Sequence, residues 1–226
     1  MTRDSFHAQL QDLQDQLLKT GWLVEEVIVE AVNSLKEQDL ERARKVIEGN
    51  DRVDQLTMDI ENQCLRLLAL QQPMARDLRA IGTALKIITD LERMADHAVD
   101  IARVTLRIGD EPLIKPLVDI PRMAETVRLM IRESLYAYVR QDVDLAEKMI
   151  KRDDIIDHLY SQIFRELLLY MLEDPGTIPQ ATQLLFVGSH LERVADHATN
   201  LGEWVIYMVT GERKELNKPG ELTTKG

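Results

Sequence analysis

Apolar residues recur three and four positions apart along almost the whole chain. Phe6, Leu10, Leu13, Leu17, Val24, Ile28, Ala31 and Leu35 form one such stripe. This spacing collects side chains on one face of a helix, and its length predicts a long bundle helix. No segment shows the two-residue alternation of a half-buried strand. Turn chemistry interrupts the pattern at KEQD (36–39), QQP (71–73), GDEPLIKP (109–116), EDPGTIP (173–179) and NKPG (217–220). Between these breaks the pattern predicts six helices, near 5–36, 39–71, 74–108, 119–140, 142–173 and 177–211. The fold class is all-α.

The last three helices resemble the first three. QDLERARKVIEGNDRVDQL at 38–56 lies over QDVDLAEKMIKRDDIIDHL at 141–159, with Gln38/Gln141, Asp39/Asp142, Ala43/Ala146, Asp51/Asp154 and Asp54/Asp157 identical. Further along, LERMADHA at 91–98 returns as LERVADHA at 191–198, changed only from Met94 to Val194. The offset falls from 103 to 100 between the two matches, so a loop of the second copy is shorter. A duplicated unit is the economical reading. Short loops make neighbouring helices antiparallel. The expected architecture is two tandem antiparallel three-helix bundles, 1–110 and 111–226, divided in the Pro-containing stretch 109–121.

Composition narrows the function. The 226-residue chain is 45% apolar, enough for a substantial core. Its net charge of −11 argues against a nucleic-acid partner, which needs clustered Lys and Arg. A single cysteine, Cys64, excludes an internal disulfide and a thiolate metal cage, and is read as a packed thiol. The N-terminus lacks the apolar stretch of a secretory signal, and runs such as WVIYMV at 204–209 are too short to span a bilayer. A cytoplasmic protein is expected, reaching a membrane only through partners.

The repeated octet places acids in a row. At about 100° per residue, with Glu92 at zero, Asp96 lies at about 40° and Asp100 at about 80° along the edge of the apolar stripe. The second copy carries Glu192, Asp196 and Asn200 at these positions. Arg93 and Arg193 reach the same edge and balance charge. His97 and His197 lie near 140° and point further away. On each second helix, Val46, Val53, Ile60 and Leu67, matched by Met149, Ile156, Ile163 and Tyr170, form an apolar stripe for the core. A mixed stripe carries Asp51, Asp54 and Glu61 in the first copy, and Asp154, Asp157 and Phe164 in the second. Asn50 and Asp153 add an oxygen donor four residues before Asp54 and Asp157.

Clustered carboxylates are tolerated when water, arginine or a cation offsets their repulsion. Oxygen-only donors suit magnesium, calcium, manganese or iron better than structural zinc. The ladder therefore supports three readings: a regulatory adaptor with metal-supported sites, a carboxylate-bridged metalloenzyme, or a structural helical dimerisation module with solvated acids. His7, His97, His158, His190 and His197 form no H-x-x-x-H pair and read as cap, surface or supporting residues. Ala95 and Ala195 stand where a di-iron oxidase would carry its E-x-x-H histidine. Nucleotide-loop and hydrolase-elbow signatures are missing too, so a non-enzymatic role is expected.

LERMADHAVDIA at 91–102, LERVADHATNLG at 191–202, VIEGNDRVDQL at 46–56 and MIKRDDIIDHL at 149–159 closely resemble the signatures of the PhoU family. The likeness extends over nearly the whole chain. It implies a cytosolic negative regulator of phosphate uptake and of phosphate-starvation signalling. Such a regulator links the phosphate ABC transporter ATPase to a sensor histidine kinase, with a homodimer expected. It also implies metal ions, with iron favoured over manganese, magnesium or zinc, at paired E/D-x-x-x-D motifs. By position these pairs are Glu92/Asp96, Glu192/Asp196, Asn50/Asp54 and Asp153/Asp157. Asn50 and Asn200 each remove one charge from the pattern, which would make the two sites unequal.

Overall fold

The computed structural model describes residues 3–71 and 73–213. Its helices are α1 (Arg3–Glu37), α2 (Leu40–Glu48), α3 (Asn50–Gln71), α4 (Ala75–Ile108), α5 (Asp119–Arg140), α6 (Val143–Ile150), α7 (Asp153–Glu173) and α8 (Ile178–Thr210). A 3₁₀ turn, Pro175–Thr177, leads into α8. No strand occurs among the described residues. The predicted break at 217–220 lies outside them.

The second helix of each half is broken where the pattern predicts continuity. The segment 39–71 divides at Gly49 into α2 and α3, and 142–173 divides at Lys151–Arg152 into α6 and α7. Glycine is a weak helix former because its backbone loses the most freedom on ordering. At both breaks the amide reaches only three residues back, Arg52 N to Gly49 O at 3.2 Å and Arg152 N to Met149 O at 2.9 Å. In the second half no glycine is needed. Arg152 is instead held on Glu133 of α5 by two hydrogen bonds of 2.7 Å.

The repeated Gln-Asp dipeptide builds the same corner twice. Gln38 and Gln141 adopt left-handed backbone, with φ of 53° and 55°. Asp39 N then donates to Ser34 O at 2.9 Å, and Asp142 N to Ala137 O at 3.0 Å, closing the preceding helix. Each aspartate caps the next helix, accepting from Arg42 N and Leu145 N at 2.9 Å.

The third helices, α4 and α8, pack against each other at the centre. Helix α1 lies on α4, α5 lies on α8, and α1 meets α5. The broken helices cover the outside, α2 and α3 over α4 and α6 and α7 over α8. One cluster of buried apolar residues extends through both halves. Val46, Val53, Ile60 and Leu67 are buried in it, as are Met149, Ile156 and Ile163. The mixed stripe faces outward, leaving Met58, Leu65, Phe164 and Leu168 exposed.

Packing differs between the halves in a complementary way. A Cβ at Gly188 would lie 3.0 Å from the Tyr160 ring. The corresponding positions of the first half hold Ile88 and Thr57. A large-small pair is thus exchanged for a small-large one, as close packing at fixed helix separation requires.

Candidate metal centre

The antiparallel packing of α3 on α4 brings Asp54 to the octet acids. Burial first, then the charges of Asp96 and Asp51, hold the Asp54 carboxyl above its ordinary range. Glu92 is raised as well, first by burial. Arg93 pulls it down, and Asp96, Asp54 and Glu61 push it up. These are groups whose negative forms destabilise one another, so a cation among them would be stabilised. Arg93 answers part of the charge, lying 3.4 Å from Asp96 on the exposed face.

Helices α7 and α8 repeat the arrangement. Glu192 is raised by burial, then by Asp196 and Asp157, against Arg193. Asp196 is raised by burial and Asp157, against His197 and Arg193. Asp157 is raised by burial and by Asp154, against His158. Asp153 is buried in the first turn of α7. Asp51 and Asp154 are exposed in the first turns of α3 and α7, where negative charge also suits the helix N-terminus.

Asn50 Nδ2 donates to Asp54 at 3.4 Å, but Asn50 Oδ1 is buried without a hydrogen-bond partner. Thr57 Oγ1 is buried and unpartnered too. Asn50, Asp54, Thr57 and Glu61 follow one another at helical spacing along one face of α3. Buried oxygens that lack a donor beside mutually repelling carboxylates are what a hard, oxygen-ligated cation would satisfy. By donor type the residues suit such an ion, Asp54, Glu92 and Asp96 with Asn50 and Glu61 in one half and Asp157, Glu192 and Asp196 with Asp153 in the other, but among the described residues no three of these acids bring their oxygens within 4.8 Å of one another.

Glu61 did not stand out in the sequence as a site residue. Its charge acts on Glu92, while Phe164 occupies its position in the second half. Asn50 against Asp153 is therefore offset by Glu61 against Phe164. Each half carries four carboxylates at these positions: Asp54, Glu61, Glu92 and Asp96, and Asp153, Asp157, Glu192 and Asp196.

The far ends of the two ladders go elsewhere. Asp100 accepts from Arg103 at 2.8 Å and turns its other oxygen towards His190 of α8, 4.0 Å away. Asn200 lines a small polar cavity with Lys86, Asp90, Glu203 and Trp204. Of the five histidines, His7 and His158 are exposed, as surface residues are, but the other three are not scattered. His97, His190 and His197 meet between α4 and α8, with Nδ1 of His97 3.2 Å from Nδ1 of His190 and His197 Nδ1 2.8 Å from Asp90. Burial, then His190, His197 and Arg193, lower the His97 imidazole to about 4 against the pull of Asp100. Burial also lowers His190. A helical wheel gives the direction of each histidine on its own helix. It does not say that two third helices face one another.

The chain is thus a duplicated helical bundle in which acidic side chains of the second and third helices act on one another in each half. Three comparisons with known proteins agree on its family. The chain belongs to the PhoU family, whose PhoU domain model matches residues 17–105 and again 120–205. It is 44% identical over 218 residues to the "phosphate-specific transport system accessory protein PhoU homolog" of Clostridium acetobutylicum, covering 96% of this chain and 100% of the relative. The protein of the same description from Aquifex aeolicus is 45% identical over 216 residues, covering 94% and 98%. The crystal structure of PhoU from Pseudomonas aeruginosa superposes with a TM-score of 0.87 at 37% identity, covering 92% of this chain and 100% of that one.

Proposed function

We propose that this chain is an accessory protein of a phosphate-specific transport system, acting as a negative regulator of phosphate uptake and of the starvation response. In this reading it is a non-enzymatic cytoplasmic adaptor between the transporter ATPase and a sensor histidine kinase. The observation that carries it is the near full-length similarity to relatives described as accessory proteins of that system. Among the described residues no helix is long and apolar enough to cross a membrane, so contact with a transporter would come through docking. A regulator of this kind acts by binding one state of its partner more tightly than another.

The carboxylate groups enter this reading as metal-holding elements that tie α3 to α4 and α7 to α8. A bound ion would offset the repulsion among the acids and fix each outer helix on the central pair. The exposed apolar residues of α3 and α7, Met58, Leu65, Phe164 and Leu168, would then be presented on rigid faces to partners or to a second copy. Cross-linked pull-down from phosphate-replete cells tests the adaptor role. Recovery of the transporter ATPase or the kinase is expected, and recovery of neither contradicts it.

A further inference from the structure

Beyond the carboxylate groups, we infer that His97, His190 and Asp100 form a separate transition-metal site that bridges α4 and α8 and so joins the two halves. The three side chains are partly buried, and one donor atom from each lies within 4.8 Å of the others. The Nδ1 atoms of His97 and His190 face each other at 3.2 Å. A tetrahedral zinc ion, with Zn–N distances of about 2.0–2.1 Å, sets two nitrogen ligands about 3.3–3.4 Å apart. The two imidazoles already stand at close to that separation. Asp100 Oδ2 is 4.0 Å from His190 Nδ1 and needs only a small swing to complete a third edge. Its other oxygen is held at 2.8 Å by Arg103, which orients the carboxylate as an outer partner orients a metal ligand.

The duplication supplies an internal contrast. Positions 90 and 190 correspond, as do 97 and 197, and 100 and 200. The pseudo-equivalent group is Asp90, His197 and Asn200. There the contact is a plain Asp–His pair of 2.8 Å, and the third position holds a neutral amide. Exchange of Asp90 for His190 and of Asn200 for Asp100 converts that pair into two imidazoles and a carboxylate. This donor set takes borderline metals such as zinc or cobalt, unlike the oxygen-only clusters on the outer faces. Without an ion one hydrogen bond joins the two nitrogens, and one ring carries its proton on Nδ1. Ligation moves that proton to Nε2 of the same ring, so both lone pairs face the metal. The fourth position is left to water.

The test is titration of the full chain, freed of metal by chelator, with Co²⁺. The visible absorption of four-coordinate cobalt should saturate at one equivalent. It should disappear in His97→Gln and in His190→Gln and persist in the Asp54→Asn/Asp157→Asn double variant. Absence of the band in the unaltered chain, or its survival in both histidine variants, would overturn the proposal. Zinc-edge anomalous diffraction from the unaltered chain decides the matter without variants. A peak between His97 and His190 is expected, and peaks confined to the carboxylate groups would refute the site.

Discussion

Glu25 of α1, only 3% exposed, accepts a hydrogen bond of 2.6 Å from Arg132 Nη2 of α5. Arg128 of α5 adds a second cation 3.6 Å away. The first helices of the two halves are therefore joined by charge as well as by apolar packing. Glu25→Ala leaves Arg132 without its carboxylate, while Arg128 keeps Glu125, and should cost about 1.5–3 kcal/mol, the range for a hydrogen bond to a charged group. The value stays below that of a fully buried pair because Arg132 is partly solvated. Denaturant unfolding measures the loss, and a double-mutant cycle with Arg132→Ala isolates the coupling. An unchanged midpoint would contradict this role.

The exchange of Thr57 and Ile88 for Tyr160 and Gly188 makes a second prediction. Gly188→Ile should destabilise the protein by about 1–3 kcal/mol, because its side chain enters space held by the Tyr160 ring. Adding Tyr160→Thr recreates the pair of the first half and should recover most of the loss. Neighbouring sites of this kind are strongly non-additive. Simple addition of the two single effects would refute the complementarity.

The histidine contact between α4 and α8 carries a pH dependence. The His97 imidazole is held at about 4 in the fold, against an ordinary value of 6.5. The folded state keeps it neutral, whereas the unfolded chain takes up a proton as pH falls below 6.5. Its contribution to stability is therefore fully present above that value and is lost progressively as pH falls towards about 4. The carboxyls titrate in both proteins when the metal-free parent is compared with His97→Gln. The difference between their denaturation midpoints should shift in favour of the variant as pH is lowered through this window. A constant difference would contradict the assignment.

Cys64 is buried in the first half, and burial, with the charge of Glu61, pushes its thiol up to about 12. The thiolate is the reactive form, so native protein should resist alkylation at neutral pH. Modification by iodoacetamide should follow global unfolding on addition of denaturant. Rapid labelling of the native chain would contradict the packing described here.

Much of this architecture is legible in the sequence. The stripe through Val46, Val53, Ile60 and Leu67 marks a core-facing helix, and the repeated Gln-Asp corner marks where each second helix begins. Local pattern carries these features because local geometry causes them. The break at Lys151–Arg152 is not legible, since it depends on Glu133 of another helix. The meeting of His97 with His190 and the turn of Asp100 towards α8 are hidden for the same reason. Periodicity orients a side chain on its own helix but does not choose the neighbour. Glu61 was visible in the mixed stripe. Its weight appears only once α3 is laid against α4 beside Glu92.

We propose that each half holds a metal ion on its paired carboxylates. Elemental analysis of the chain purified without chelator tests it most directly, in the unaltered protein and in Asp54→Ala and Asp157→Ala. Stoichiometric metal in the unaltered chain is predicted, with each variant losing the share of its own half. A chain free of metal, or metal content unchanged in both variants, would contradict the account.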